Sequence, residues 1–349
     1  MMDGAAASIR YPFETPPTPE QAIEVADGVL WLRLPMPGAL DHVNVYVLDE
    51  GDSWTIVDCG PHRPAVVGHW EAILKGPLKA KPVERVLITH HHPDHIGMLG
   101  WFMERGASHW ASRTSYLLSR LLTLDIEEVP SDAAVEYWKM AGMPPEMIEQ
   151  KLGEKPFSFA EIVHPIPVGH MRLCEGDVIT AGGRTWDVRM GAGHAPEHAT
   201  FWSRDDNLVL GGDQLLPSIS PNVGVHPAEP DSDPLGDWLE ACERLATYAT
   251  EDQFVLPGHK LPYIGLPTRM RQLINNHHSG LERLKAHIVE PKTVVECFPP
   301  LFKRKIVPDI YHLAMIESYA HLNHLLKIGQ ATRERRDDGA WMWTAVPGA

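Results

Sequence analysis

The chain has 349 residues, and its 44% hydrophobic content suffices for one large domain with an appendage or for two domains. It carries 31 Lys and Arg against 46 Asp and Glu, and the formal net charge of −15 disfavours binding to nucleic acid or anionic membranes. No apolar run approaches the ~20 residues that span a bilayer, so we expect a soluble, cytoplasmic protein. The 4 cysteines are widely separated and predict neither disulfides nor a thiolate zinc site, whereas 20 histidines are unusual.

The N-terminal part of the chain is predicted to be rich in strands. Residues 1–20 are polar and rich in proline, which predicts a flexible arm. Alternating and β-branched residues then predict strands at 29–34, 43–48, 54–58 and 83–89, with a helix at about 65–78 before the last of them. This order is typical of sheets whose functional side chains lie in the loops after strands.

A helical insertion is predicted at about 111–153, with helices at 113–124, 133–141 and 145–152. Its leucines and Trp138 form an apolar face. Two interpretations stay open, a lid over a substrate with an apolar part or helices that simply pack on the sheets.

Strands return after residue 164 and give way to helices near the C-terminus. Predicted strands lie at 177–180, 185–190, 199–203, 208–210 and 253–256, and predicted helices at 237–248, 267–289 and 309–328. Asp309 is predicted as an N-cap and Gly329 as a C-cap, and Asp338-Gly339 predicts a hairpin turn. Helices followed by a hairpin predict a small winged-helix-like module. The predicted domains are therefore the arm (1–20), a catalytic domain (21–265) and this module (266–349).

One short loop concentrates side chains that bind metals. His90, His92, Asp94 and His95 fall within six residues, directly after an apolar strand. Packing does not explain this density, because each buried imidazole or carboxylate would need its own partner. Imidazole and carboxylate together suit zinc and similar divalent ions.

Three later segments offer further ligands of the same kind. His194, Asp213 and His259 each come shortly after a predicted strand and close to glycine. Four strand ends would therefore supply metal ligands, which is enough for a binuclear site.

The ordered set H-x-H-x-D-H followed by single His, Asp and His resembles the metallo-β-lactamase superfamily over residues 29–259. The resemblance implies an α+β fold, an αββα sandwich with the site at one edge between its two sheets. By position it assigns one metal to His90, His92 and His194, the other to Asp94, His95 and His259, and a bridging role to Asp213. Asp58 matches the acidic residue that orients the metal loop.

The same resemblance implies the chemistry. Two Zn²⁺ ions, with Fe or Mn as alternatives, would share a hydroxide that attacks a small, partly apolar ester, thioester or lactone. Asp94 would shuttle a proton to the leaving group. A phosphodiesterase or ribonuclease at the same site, a mononuclear-iron persulfide dioxygenase and a non-catalytic metal-bearing module stay open as alternatives.

Further residues receive less specific roles. His198 could replace His194 as a ligand, but the family pattern favours a supporting position beside the ligands. His226 and Trp138 are predicted substrate contacts. Basic clusters at 303–305 and 333–336 suggest nucleic-acid binding by the C-terminal module, which the acidity of the chain disfavours. A small-molecule substrate is therefore the expected partner, and a homodimer stays open.

Overall fold

The computed structural model describes residues 8–38, 40–302 and 304–348, and these divide into two compact units. The first unit takes its residues from 1–126, 158–221 and 244–270, and the second from 127–157, 222–243 and 271–349. This division differs from the predicted domains. Residues 127–157 and 222–243 were predicted in the catalytic domain, but they group with residues 271–349 in the second unit.

A seven-stranded sheet forms the first half of the first unit. Its strands lie side by side in chain order: Ile23–Ala26 (β1), Val29–Pro35 (β2), His42–Asp49 (β3), Trp54–Val57 (β4), Val83–Leu87 (β5), Ser108–Ser112 (β6) and Met171–Leu173 (β7). Pairing is antiparallel from β1 to β4 and parallel from β4 to β7. The parallel strands need crossovers, which the intervening helices provide.

Four helices of the first unit follow or connect these strands: Pro64–Lys75 (α1), Pro93–Ile96 (α2), Leu99–Met103 (α3) and Arg113–Leu124 (α4). A buried cluster joins α1, α2 and α3 to the first sheet. In it, the rings of Trp70 and Phe102 meet edge to face at 4.8 Å. Burial of these large rings stabilises the helices against this face of the sheet.

A six-stranded sheet completes the first unit. Its strands are Val178–Ala181 (β8), Arg184–Gly191 (β9), His198–Ser203 (β10), Leu208–Gly212 (β11), Phe254–Pro257 (β12) and Tyr263–Ile264 (β13), which lie in the sheet in reverse chain order. All pairs are antiparallel except β11 with β12.

The two sheets face each other across one apolar core. Trp31, Tyr46 and Leu87 from the first sheet belong to the same buried cluster as Trp186 and Phe201 from the second. Alternate residues of each strand supply this core, as expected when one face of each sheet packs on the other. The predicted α+β fold with two facing sheets is confirmed.

Part of the predicted N-terminal arm packs on the second sheet. Arg10 forms a β-bridge with Ile264, and the ring of Phe13 stacks on Phe254 with centroids 5.9 Å apart. The first seven residues of the predicted arm lie outside the described residues.

The second unit is mainly helical. Its helices and hairpin strands are Asp132–Met140 (α5), Pro145–Leu152 (α6), Pro234–Ala246 (α7), Leu266–His287 (α8), Phe298–Leu301 (α9), Pro308–Lys327 (α10), Ala331–Arg335 (β14) and Trp341–Ala345 (β15), of which α7 and α8 each extend into the first unit. Short 3-10 helices occur at Phe159–Glu161 in the first unit and Val295–Cys297 in the second. The predicted helices at 113–124 and 145–152 and the predicted hairpin are confirmed; the winged-helix likeness stays a prediction.

The long helix α10 is central to the second unit. Its Tyr319 is buried and stacks on Tyr137 with ring centroids 4.9 Å apart. The predicted N-cap role of Asp309 is wrong: Val307 caps the helix and Pro308 takes the first helical position, which its fixed φ favours. Gly329 follows the C-capping Ile328 with φ +74°, a left-handed conformation that ends the helix.

Helix α4 turns its hydroxyl side chains inward and its leucines outward. Ser115, Ser119 and Thr123 are buried, whereas Leu117 and Leu121 are 55% and 59% exposed. Small hydroxyl side chains allow α4 to lie close to β6 and to the 3-10 helix at 159–161. The leucine face therefore does not pack on the sheets.

Among the helices that the structure describes, none combines the length and the apolar character that a membrane crossing requires.

Candidate metal centre

All seven predicted ligand side chains lie in the first unit, in segments that follow strands. The loop 89–95 follows β5, and His194, Asp213 and His259 come after β9, β11 and β12. Because β9, β11 and β12 run in the same direction, their carboxyl ends meet at one edge of the second sheet. The topology thus brings together ligands that are far apart in the chain.

The structure gathers these side chains into three overlapping groups. In each group the candidate ligand atoms lie within 4.8 Å of one another: His90, His92 and His194; His90, His95 and Asp213; Asp94, His95 and His259. The first and third groups match the two triplets predicted from the sequence. The second group links them through Asp213.

Asp213 lies between the two triplets. Its Oδ2 is 3.6 Å from His194 Nε2 and 3.2 Å from His259 Nε2, while its Oδ1 is 3.6 Å from His95 Nε2. The backbone N–H of Asp213 donates to His198 Nε2 at 3.1 Å. His198 belongs to none of the three groups, whereas His194 belongs to the first.

Asp58 forms hydrogen bonds with the loop 89–95, which carries four of the candidate ligands. It accepts hydrogen bonds from the Thr89 backbone N–H at 2.9 Å, from the Thr89 hydroxyl at 2.8 Å and from His95 Nδ1 at 2.8 Å. The last bond directs Nε2 of His95 toward Asp94 and Asp213. Asp58 adopts φ +60°, a left-handed conformation that costs about 1–3 kcal/mol in a non-glycine residue.

His259 is oriented by residues of β3. Its Nδ1 lies 2.8 Å from the carbonyl oxygen of His42 and donates to it. The His42 ring in turn contacts Asp41 at 2.6 Å and accepts from the backbone N–H of Lys260 at 2.9 Å. Nε2 of His259 is thereby left to face Asp94 and Asp213.

Asn44 ties the first sheet to the segment that carries His259. Its backbone N–H donates to the Gly258 carbonyl at 2.7 Å, and its side-chain amide donates to the carbonyls of Pro257 and Lys260 at 2.9 Å each. Trp31 Nε1 donates to the Asn44 amide oxygen at 2.9 Å and fixes its orientation. Asn44 is 1% exposed, so these bonds are shielded from water.

Gly258 allows this close approach. A Cβ at this position would lie 2.2 Å from Asp213 Oδ1 and 2.9 Å from His95 Cε1. Only glycine therefore leaves room for Asp213 and His95 in their observed positions.

The donor set fits a divalent cation. His95 Nε2 and Asp213 Oδ1 are buried, and no residue within the described ranges offers either atom a hydrogen bond. Such buried polar atoms cost about 1–3 kcal/mol each when they lack a partner. A cation that accepts both lone pairs would remove that cost, and nitrogen with carboxylate oxygen is a donor set that divalent ions accept.

The electrostatics of the site also favour a cation. Burial and the neighbouring imidazoles lower the pKa of His90 and His92 well below the ordinary value, so both rings are neutral and keep a lone pair. Burial would raise the pKa of Asp213, but His259 and His95 hold it well below its ordinary value, so it stays anionic. The carboxylates act in the opposite direction on two other rings: against the effect of burial they raise the pKa of His95 well above its ordinary value and that of His259 to about 10. A metal bound there would therefore displace a proton from each of these two rings.

The site opens to solvent on one side. The side chains of His95 and His259 are 0% and 2% exposed, whereas that of Asp94 is 16% exposed. His92 and His194 are also only partly buried. A substrate can therefore reach the ligands from the side of these three residues.

Three of the supporting residues could not be predicted from the sequence. His42, Asn44 and Thr89 carry no motif, and only the packing of the two sheets brings the first two to the segment with His259. The predicted substrate contacts Trp138 and His226 belong to the second unit, and their role stays a prediction. His91 is buried beside the ligands, with its ring 4.8 Å from that of His92.

The sequence profile of the metallo-beta-lactamase superfamily matches residues 38–259 of this chain. The chain belongs to that superfamily. A second profile, of the metallo-beta-lactamase-like C-terminal domain, matches residues 281–346. The metallo-beta-lactamase fold implies a divalent metal site, and the clustered His and Asp side chains could hold it.

Solved and curated proteins of this superfamily resemble the chain over most of its length. A beta-lactamase domain protein from Burkholderia ambifaria is 36% identical, with a TM-score of 0.89 over 97% of this chain and 98% of that one. The probable metallo-hydrolase YqjP of Bacillus subtilis is 25% identical over 86% of this chain and 92% of that protein. Ribonuclease TTHA0252 of Thermus thermophilus is 25% identical over 63% of this chain and 53% of that protein. The chain is accordingly a metallo-hydrolase of the superfamily.

Proposed function

We propose that this protein holds two Zn²⁺ ions and hydrolyses a small, partly apolar ester, thioester or lactone. The observation that carries the proposal is the pair of triplets, His90, His92 with His194 and Asp94, His95 with His259, joined by Asp213. A mononuclear site would not require both triplets. Their ligand types suit zinc, with iron or manganese as the alternatives.

Two ions bound there would supply Lewis acidity and an activated water nucleophile at neutral pH. The chain itself contributes orientation and proton transfer. Asp58 and the His42 carbonyl fix the tautomers of His95 and His259. The ligands are thus already oriented, with little reorganisation to accompany the reaction.

We assign proton transfer to Asp94. Its Oδ2 lies 3.4 Å from His95 Nε2 and 3.3 Å from His259 Nε2, which leaves Oδ1 as the atom to receive a proton and deliver it to the leaving group. The side chain of Asp94 is 16% exposed, and against the effect of burial His95 and His259 lower its pKa. It is therefore anionic at neutral pH.

The charge of the chain favours a small substrate over a nucleic acid. The net charge is −15, and the basic residues of the C-terminal hairpin are paired with acids. Arg333 contacts Asp231 at 2.7 Å, Arg335 contacts Glu136, and Arg336 contacts Asp338 at 2.7 Å. In the cluster at 303–305, Lys303 lies outside the described residues. A phosphate backbone would find little unpaired positive charge on the hairpin.

Ribonuclease activity is the second candidate, because one relative is named as a ribonuclease. It would use the same metals on a phosphodiester. Purified protein assayed on single-stranded RNA, beside a panel of thioesters, lactones and carboxylic esters, separates the two. Turnover of RNA alone would overturn the small-substrate proposal.

Metal analysis tests the centre itself. We expect about two zinc ions per chain in protein purified without added metal, and loss of both metal and turnover in Asp213→Ala and His92→Ala. His278→Ala is the matched control, because this histidine is exposed on α8. One iron per chain with persulfide oxidation would instead establish the dioxygenase alternative. Full metal content and activity in Asp213→Ala would refute the ligand assignment.

A further inference from the structure

The outward face of α4 carries leucines that nothing in the described chain covers. Leu117, Leu121 and Leu124 are 55%, 59% and 69% exposed, and Arg113 and Asp125 are exposed at the two ends of the same face. A helix normally turns its large apolar side chains inward and its hydroxyl residues outward. Here Ser115, Ser119 and Thr123 are the buried residues.

Along this face a charged residue is followed by two leucines and a second charged residue of opposite sign, so the pattern is the same from either end except for the sign of the charges. Arg113, Leu117, Leu121 and Asp125 follow one another at intervals of four residues. When two copies of the helix lie antiparallel about a two-fold axis near residue 119, Leu117 of each copy meets Leu121 of the other. The same register places Arg113 of each copy opposite Asp125 of the other. An isologous contact requires this kind of self-complementarity.

The helix dipole points to the same arrangement. Arg113 is the first residue of α4 and Asp125 is its C-cap. Each charge is therefore at the helix end where the dipole disfavours it. Antiparallel pairing brings the Asp125 carboxylate of one copy to the N-terminus of the other helix, and Arg113 to the C-terminus, where both charges are favourable.

We propose that α4 is a homodimer contact, in which a second copy of this chain lies antiparallel on the face formed by Arg113, Leu117, Leu121, Leu124 and Asp125. The helix has 12 residues and spans about 18 Å, so the contact by itself is small. We expect a dimer that forms in the micromolar range and dissociates on dilution.

Sedimentation of the metal-loaded full chain over a hundredfold concentration range tests the proposal. The wild type should pass from monomer to dimer, and Leu121→Asp should weaken association at least about a hundredfold, because it places a carboxylate in both copies of the apolar contact. Leu313→Asp is the matched control, since Leu313 is 47% exposed on α10 of the second unit. This variant should dimerise like the wild type. Circular dichroism checks that both variants are folded.

Charge exchange tests the register. Arg113→Asp and Asp125→Arg should each weaken the dimer about tenfold, because like charges then meet twice across the axis. The double variant and an equimolar mixture of the two single variants restore the opposite-charge pairs, so each should bind more tightly than either single variant, but without the favourable change in charge–dipole contacts that pairing gives the wild type.

Either of two results would overturn the proposal. One is a wild-type chain that stays monomeric throughout the concentration range. The other is a dimer whose affinity Leu121→Asp leaves unchanged, because its contact would then lie elsewhere. Failure of the charge exchange alone, with Leu121→Asp still disruptive, would refute the antiparallel register.

Discussion

Asp58 shows how much one residue contributes to a site whose ligands lie elsewhere. Its two carboxylate oxygens accept three hydrogen bonds, from the backbone and hydroxyl of Thr89 and from His95. All three partner atoms are hydrogen-bond donors. The side chain at position 58 must therefore carry an acceptor at each of its two terminal atoms. The left-handed backbone of Asp58 is tolerated because these bonds determine its position.

Asp58→Asn should lower zinc affinity about 10- to 100-fold without removing a ligand. Either orientation of the new amide leaves an NH₂ group facing a donor of Thr89 or His95. Competition with a coloured chelator measures the change, and Thr89→Ser, which keeps the hydroxyl, is the control. Unchanged affinity would mean that the loop 89–95 keeps its geometry without this carboxylate.

Gly258→Ala should also empty the metal centre while every ligand is retained. The new methyl would lie 2.2 Å from Asp213 Oδ1, so that carboxylate must move. Bound zinc measured by mass spectrometry should fall below half of the wild-type content.

The control for Gly258→Ala is Gly68→Ala. Gly68 is exposed on α1, and a Cβ there meets nothing within 4 Å. It should keep its metal and gain about 0.5–1 kcal/mol of stability, because alanine is the better helix former. Full zinc content in Gly258→Ala would show that Asp213 can be displaced without loss of the site.

At the scale of elements, α10 holds a carboxylate in a poorly solvated position. Glu317 accepts from the Asn222 amide at 2.9 Å. Burial raises the pKa of Glu317 to about 7, although this hydrogen bond and Arg304 both oppose the shift. The ordinary value is 4.5. The folded protein therefore keeps a proton over a pH range in which the unfolded chain has released it.

This pKa predicts that stability falls as the pH rises from about 4.5 to 7, because the unfolded state then binds fewer protons than the folded state. Glu317→Gln cannot titrate. It should match the wild type near pH 4.5 and exceed it by on the order of 2 kcal/mol at pH 8. Urea unfolding at both pH values gives the difference, and an equal offset at both would contradict the assigned pKa shift.

Elements also show where sequence reasoning succeeds and where it fails. The loop 89–95 was predictable because its ligands are local, so their density is visible without a fold. Helix α4 was predicted at the observed residues, but the sequence did not indicate which of its faces is buried, since hydrophobicity alone favours buried leucines over buried serines. His42 and Asn44 gave no signal, because their role depends on hydrogen bonds with a segment more than 200 residues away.

For the whole molecule, the metal should stabilise one unit and not the other. All the ligands lie in the first unit, and binding to the folded state alone adds about 2.7 kcal/mol at a hundredfold excess over the dissociation constant. Removing zinc with a chelator should thus lower the melting temperature, and returning zinc should restore it.

Hydrogen exchange locates this effect of metal removal. Amides of β5, β11 and β12 should lose protection in the metal-free protein, whereas those of the β14–β15 hairpin should keep theirs. An equal loss in both units would show that they unfold as one.

The bonds from Asn44 to Pro257 and Gly258 have a consequence for synthesis. They join residues that lie 213 positions or more apart, so the ribosome releases Asn44 long before its partners. The loop with His90, His92 and His95 emerges early and can meet metal while the rest of the chain is unfinished. His259 emerges last of the seven ligands, and only then can the second triplet close. The order of translation therefore lets the first proposed triplet bind an ion before the second one can. The second triplet would complete the site.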